Sequence, residues 1–270
     1  MNVTGRVAVV TGAGSGIGRA IAHALARRGC HLALVDLNPQ TLLQTAEQAR
    51  ALGVRVTNHP LDVTDREAVR ALPADVRTVH GRVDLLVNNA GIAAGGTFEQ
   101  VSEPDFDRVM DINFGAVVRL TRAFLPHLHQ SDDARLVNLS SLYGLISPPE
   151  QSAYSASKFA VRGFSNALRH ELAGTQVGVT VVHPGGVATA IAKSALIPAG
   201  ATAEAIAQKQ AQQAKLLRMP PERAGELIVR GIEQRKARIL VGTDARLIAW
   251  LERLAPVGYW SILRKLINQR

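Results

Sequence analysis

Short apolar runs alternate with longer stretches of helical periodicity along the whole chain. The runs are Arg6–Thr11, His31–Asp36, Val54–His59, Val83–Asn89, Arg135–Ser141, Gly178–His183 and Ala237–Val241. Near-continuous apolar runs of this length predict strands buried on both faces. Between them, Arg19–Arg28, Pro39–Leu52, Asp65–His80, Ser102–His129, Gln151–Gly174 and Glu222–Gln234 carry helical patterning. Pro73 predicts an interruption of the third helix, because proline lacks an amide donor. Asn113 lies inside the long fourth pattern. An interior Asn is often incidental, but its side chain competes for backbone hydrogen bonds and can mark a local distortion that frees a carbonyl for water. Strictly alternating strand and helix imply βαβ units and a parallel sheet.

The residues with chemistry fall at strand ends, where open α/β sheets bind ligands. Thr11-Gly-Ala-Gly-Ser-Gly-Ile-Gly18 follows the first strand and opens the first helix. Glycines there let the backbone turn sharply and approach a pyrophosphate at the helix N-terminus. Asp36 ends the second strand, 18 residues beyond Gly18. A carboxylate at that spacing bonds the adenosine ribose hydroxyls and repels a 2′-phosphate. Tyr154 and Lys158 are four apart and share one helix face. A cation beside a phenol favours the phenolate and lowers its pKa, so the two form a candidate proton-transfer pair. Ser141, thirteen residues before Tyr154, is placed to hold the reacting oxygen.

Composition narrows the class. Of 270 residues, 47% are apolar and 20% charged, the profile of a globular protein with a sizeable core. The single cysteine, Cys30, excludes an intrachain disulfide and reads as a small buried hydrophobe. A reducing, cytoplasmic location is expected, with no signal peptide, membrane span or metal site. The net charge is +9. Its basic residues are scattered among apolar ones, without the aromatic interleaving of single-strand binders, so no nucleic-acid partner is expected.

The chain resembles the classical short-chain dehydrogenase/reductase family over roughly residues 5–242. The resemblance rests on Thr11-Gly12-x-x-x-Gly16-Ile17-Gly18, Asn88-Asn89-Ala90-Gly91, Asn113, Ser141, Tyr154-x-x-x-Lys158 and Pro184-Gly185-x-Val187-x-Thr189. It implies a Rossmann-type doubly wound sheet of about seven strands, with helices on both faces. It implies Tyr154 as general acid/base, Ser141 as orienter of the substrate oxygen, and Lys158 as the group that lowers the Tyr154 pKa and binds the nicotinamide ribose. Asn113 would anchor a relay water through its helix backbone. Gly12, Ser15, Gly16, Ile17 and Gly18 would surround the pyrophosphate, with Asp62 and Val63 near the adenine. Asn89, Ala90 and Gly91 would line the cofactor groove. Pro184, Gly185, Val187 and Thr189 follow the sixth strand, where Val187 and Thr189 would hold the carboxamide. The expected cofactor is NAD rather than NADP, and the expected reaction interconverts an alcohol and a ketone or aldehyde. A catalytically silent nucleotide-binding protein is the alternative. The family is usually dimeric or tetrameric.

Substrate choice is expected around Ala93–Phe98, Leu142–Gln151 and residues 187–218. Apolar Leu142, Leu145, Ile146, Ile191, Leu196 and Ile197 there suggest a hydrophobic substrate. Residues 187–218, rich in Ala and Gln, are expected to form a helical lid. Beyond the catalytic domain, 1–242, the tail from Thr243 to Arg270 carries two apolar sets at helical spacing, split by Pro256 and Gly258. They predict two short amphipathic helices. Three uses follow in descending order: packing on the protein or a subunit neighbour, capping the pocket, and resting on an anionic membrane surface.

Overall fold

A computed structural model describes residues 1–189, 191, 195–197, 200, 202, 204, 206–208, 211 and 216–268. Its centre is a seven-stranded sheet, entirely parallel: β1 (Val7–Thr11), β2 (His31–Asp36), β3 (Val56–Pro60), β4 (Leu85–Asn88), β5 (Ala134–Leu139), β6 (Val177–Pro184) and β7 (Arg238–Val241). The spatial order is β3-β2-β1-β4-β5-β6-β7. The chain reverses its direction of winding between β1 and β4, which opens a crevice beyond their C-terminal ends.

Alternation along β1 assigns its side chains to two cores. Ala8 and Val10 join the core covered by α1 (Gly16–Ala26), α2 (Pro39–Arg50) and, later in the chain, the helix Pro221–Glu233. Val7 and Val9 join the opposite core, beneath α3 (Arg66–His80), α5 (Ala116–Leu128) and α6 (Ser152–Glu171). Cys30 is fully buried in the first core, one residue before β2.

Two helices depart from simple patterning. The expected break at Pro73 does not occur, and α3 runs through it to His80. Val69, Leu72, Pro73 and Val76 are all buried on one face. That packing holds the axis across the lost hydrogen bond. The long fourth pattern divides instead into α4 (Glu103–Met110), a π-turn over Asp111–Gly115 that contains Asn113, and α5. Such wide turns inside helices mark functional sites more often than chance.

Toward the C-terminal end come α7 (Pro221–Glu233), α8 (Thr243–Leu254) and α9 (Tyr259–Asn268). The last two are the predicted tail helices. Nearly half of the expected lid, residues 187–218, lies outside the described residues. At the far end of the sheet, the fully buried Asp84 accepts from the Val7 amide (2.9 Å), Ser131 Oγ (2.6 Å), Arg82 Nε (2.9 Å) and Arg6 (3.1 Å). These bonds fasten the starts of β1, β4 and β5 together.

Candidate active site

The crevice continues into a cleft of about 1590 Å³. That exceeds the usual 300–1,000 Å³ of a single-ligand pocket and leaves room for two ligands side by side. Of the catalytic and cofactor-site residues singled out in the sequence, Gly18 and Asn113 alone do not line it.

One wall is the glycine turn. Gly12 has φ +63°, and a Cβ on Gly18 would lie 2.0 Å from the Gly12 carbonyl oxygen. Ser15 caps α1 in extended geometry with no side-chain capping bond, and the first turn of α1 holds no acid. The first amides of α1 are therefore left for an external anion. Asn89 Nδ2 donates to the Thr11 (2.9 Å) and Gly12 (3.2 Å) carbonyls, while Thr11 Oγ1 accepts from the Asn89 and Ala90 amides. Asn89 thus clamps β1 to β4, and Thr11, singled out in the sequence only as the first residue of the motif, is a positioning residue. Asp36 is held by the amides of Gly14 (2.8 Å) and Asn38 (2.9 Å). Asp62 accepts from Thr64 through both amide and hydroxyl, with the buried Val63 beside it. Across the cleft, the Thr189 methyl lies 3.2 Å from where a Gly16 Cβ would sit. Open amides, backbone approach and a ribose-height carboxylate fit a dinucleotide.

The facing wall is built by the first turns of α6. Tyr154 and Lys158 project together, Lys158 Nζ lying 5.6 Å from the Tyr154 ring centroid and donating to the Leu139 carbonyl (3.1 Å). Burial pushes the Tyr154 phenol up to about 12, against a hydrogen bond with Ser141 that pulls it down. Burial also brings the Lys158 ammonium down to about 8. The sequence argument had Lys158 lowering the phenol's pKa. In this structure loss of hydration dominates and disfavours charge on both groups.

Two adjacent serines divide their work. Ser140 Oγ is buried and donates to the Lys158 carbonyl (2.8 Å). Ser141 lines the cleft, its Oγ accepting from the Tyr143 amide (3.1 Å). Its carbonyl meets His183 Nδ1 at 2.9 Å. A carbonyl can only accept, so Nδ1 carries the proton. Burial holds the His183 imidazole neutral, with a pKa of about 4. Asn113 is fully buried. Its Oδ1 accepts from the Ile92 amide (2.8 Å), and its Nδ2 donates to the Ile92 carbonyl (3.0 Å) and Ser157 Oγ (3.0 Å). It fixes the π-turn against α6 and the loop after β4.

The substrate end is apolar. Leu142, Ile146, Ile191, Leu196 and Ile197 line it, while Leu145 is buried and does not. Tyr143 lines it too, edge-on to Tyr154 with centroids 6.0 Å apart; the sequence reading passed over it. Leu247, Ile248 and Leu251 of α8 and Trp260 and Leu263 of α9 close one side. The tail is tethered at two points. Asp244 Oδ2 accepts from the Gly186 amide (2.7 Å), and Tyr259 Oη accepts from the Ser147 amide (2.9 Å). The tail thus packs on the protein and walls the pocket.

A doubly wound parallel sheet whose crevice sets a glycine turn against a half-buried tyrosine and a buried lysine defines a dinucleotide-fold oxidoreductase. Residues 6–197 match the short chain dehydrogenase family, and the chain belongs to that family. It is 45% identical over 262 residues to SadH of Mycobacterium tuberculosis, covering 96% of this chain and 94% of that protein. A short-chain dehydrogenase/reductase from Burkholderia phymatum, solved in complex with NAD, superposes with a TM-score of 0.88 at 32% identity, covering 95% of each chain. A metagenomic short-chain oxidoreductase solved in complex with NADP gives 0.65 at 34% identity, covering 69% of this chain and 85% of that one. Among the described residues, no helix is long and apolar enough to cross a membrane.

Proposed function

We propose that this protein is an NAD(H)-dependent oxidoreductase that interconverts a hydrophobic secondary alcohol and its ketone, or the corresponding aldehyde pair. The observation that carries the reading is the convergence of Tyr154, Lys158 and Ser141 on the wall facing the glycine turn, at the inner end of an apolar cleft. Nicotinamide, when bound, supplies or accepts the hydride. The chain's own groups handle the proton and the orientation. The Ser141 hydroxyl holds the substrate oxygen. Tyr154 protonates that oxygen during reduction and deprotonates it during oxidation. Lys158, with a pKa near neutrality, favours the phenolate when it carries charge. The π-turn held by Asn113 leaves a main-chain carbonyl for a relay water.

Asp36 supports NAD over NADP. Its carboxylate is fixed by two amides, and neither Leu37 nor Asn38 offers a cation to a 2′-phosphate. The test is a panel of alcohols and ketones of graded chain length, assayed by nicotinamide absorbance with each cofactor. Turnover should rise with apolar size and favour NAD(H). A protein that binds NADH but turns over no member of the panel would be the silent nucleotide binder.

A further inference from the structure

The pocket-facing side of the tail leaves its outer side unaccounted for. On α8, Leu247, Trp250 and Leu254 recur at i, i+3 and i+7, so they form one stripe. They are 70%, 64% and 77% exposed, and Val257, in the turn that follows, is 94% exposed. Large apolar residues contiguous on a surface mark an interaction site. The stripe is also part of the mouth of the cleft: Leu247 lines the cleft while exposed, as do Ile197 and Leu216 elsewhere along it.

Charge identifies the occupant. Among the described residues from 243 to 265, every exposed charge is basic: Arg246, Arg253, Arg264 and Lys265. The two acids there are turned inward. Asp244 is bonded to the Gly186 amide, and Glu252 is half-buried near Arg238. Arg246 and Arg253, seven apart, run alongside the apolar stripe. A second copy docked symmetrically on this face would set like charges against each other. An anionic lipid surface would satisfy both halves of the pattern, with apolar side chains in the acyl boundary and arginines among the headgroups.

We propose that α8 and α9 seat the mouth of the cleft on an anionic lipid surface. An apolar substrate dissolved in that layer then passes into the cleft without crossing bulk water. Docking itself does not depend on the reaction proposed above, and it is measured without substrate.

The chain provides its own probe, since its two tryptophans, Trp250 and Trp260, both lie in the tail. The full chain is mixed with phosphatidylcholine vesicles, with and without phosphatidylglycerol, at low and high salt. Sedimentation and a blue shift of tryptophan emission are expected with the anionic vesicles, and high salt should weaken both. One basic side chain near such a surface contributes about fivefold in partitioning. The double variant R246E/R253E should therefore lose at least ~tenfold. W250E/L254E should lose as much through the apolar stripe. None of these four residues lines the cleft, so both variants should keep turnover on a water-soluble alcohol. Three results would each overturn the proposal: no sedimentation with anionic vesicles at low salt, equal and salt-insensitive partitioning onto neutral vesicles, or conversion of an oligomer to monomer by W250E/L254E. The last would assign the face to a second copy.

Discussion

Replacing Tyr154 by phenylalanine removes one oxygen and keeps the ring, its edge-on contact with Tyr143 and its place beneath Lys158. The oxygen's contribution to folding is small. The phenol is buried and its hydrogen-bond partner is a serine hydroxyl, a neutral pair contributing about 1 kcal/mol net. Its contribution to the reaction is much larger. A positioned acid or base is worth about 10²–10⁴-fold, or about 2.7–5.5 kcal/mol of barrier. The variant should therefore melt close to the parent and bind NADH normally, while turnover falls by at least ~10². The pH dependence sharpens the test. With the phenol at about 12, only ~10⁻⁴ of it is ionised at pH 8, so alcohol oxidation should climb with pH through the neutral range. Reduction uses the neutral phenol and should lack that rise. A cation entering the cleft would lower the 12 and shift the oxidative limb to lower pH without changing its direction. Stopped-flow single turnovers in both directions, from pH 6 to 10, would measure this. Near-parent turnover in Tyr154→Phe, or the same oxidative rise in that variant, would refute the assignment.

Asp36→Ala should raise the KM for NAD by ~10–150-fold, the range for a hydrogen bond to a charged group, and narrow the gap to NADP; steady-state kinetics with both cofactors would show it. Gly18→Ala places a methyl where the Gly12 carbonyl stands. It should abolish NADH binding in a fluorescence titration even where the protein folds. His80 and His183 are each held to about 4 by burial, so unfolding takes up protons below their unfolded value of about 6.5. Stability should fall as pH drops from about 6.5 to 4, at ~1.4 kcal/mol per pH unit for each histidine, and chemical denaturation of His183→Asn should show a shallower slope.

The central strands were legible because each is a short apolar run buried on both faces and bounded by turn residues, whereas the edge strand β3 is polar and mostly half-buried. The glycine turn and Asp36 were legible because their chemistry depends on local spacing. Pro73 misled because a lost hydrogen bond is visible in sequence, whereas the buried face that holds the helix across it is not. Leu145 looked like a pocket residue for a related reason. One position along the same loop separates core from cleft. Asn113 was readable as a distortion, but its partners Ile92 and Ser157 come from separate elements. The same holds for the Asp84 cluster, whose partners lie up to 78 residues away, and for His183 on Ser141, 42 residues away. Long-range polar contacts leave no periodic trace.

The Asn89–Thr11 clamp stands on the line where the two windings of the sheet meet. On one side, residues 12–63 supply the turn, Asp36 and Asp62; on the other, the chain from Asn89 onward supplies the tyrosine–lysine wall and most of the apolar lining. The nucleotide-facing turn and the facing wall are thus written largely in separate blocks of chain, joined at a seam where the Thr11 and Asn89 side chains bond main-chain groups across it. Such a layout is modular: a graft that exchanges the first block alone, keeping Thr11 and Asn89, should retune which nucleotide is accepted while leaving the choice of alcohol untouched.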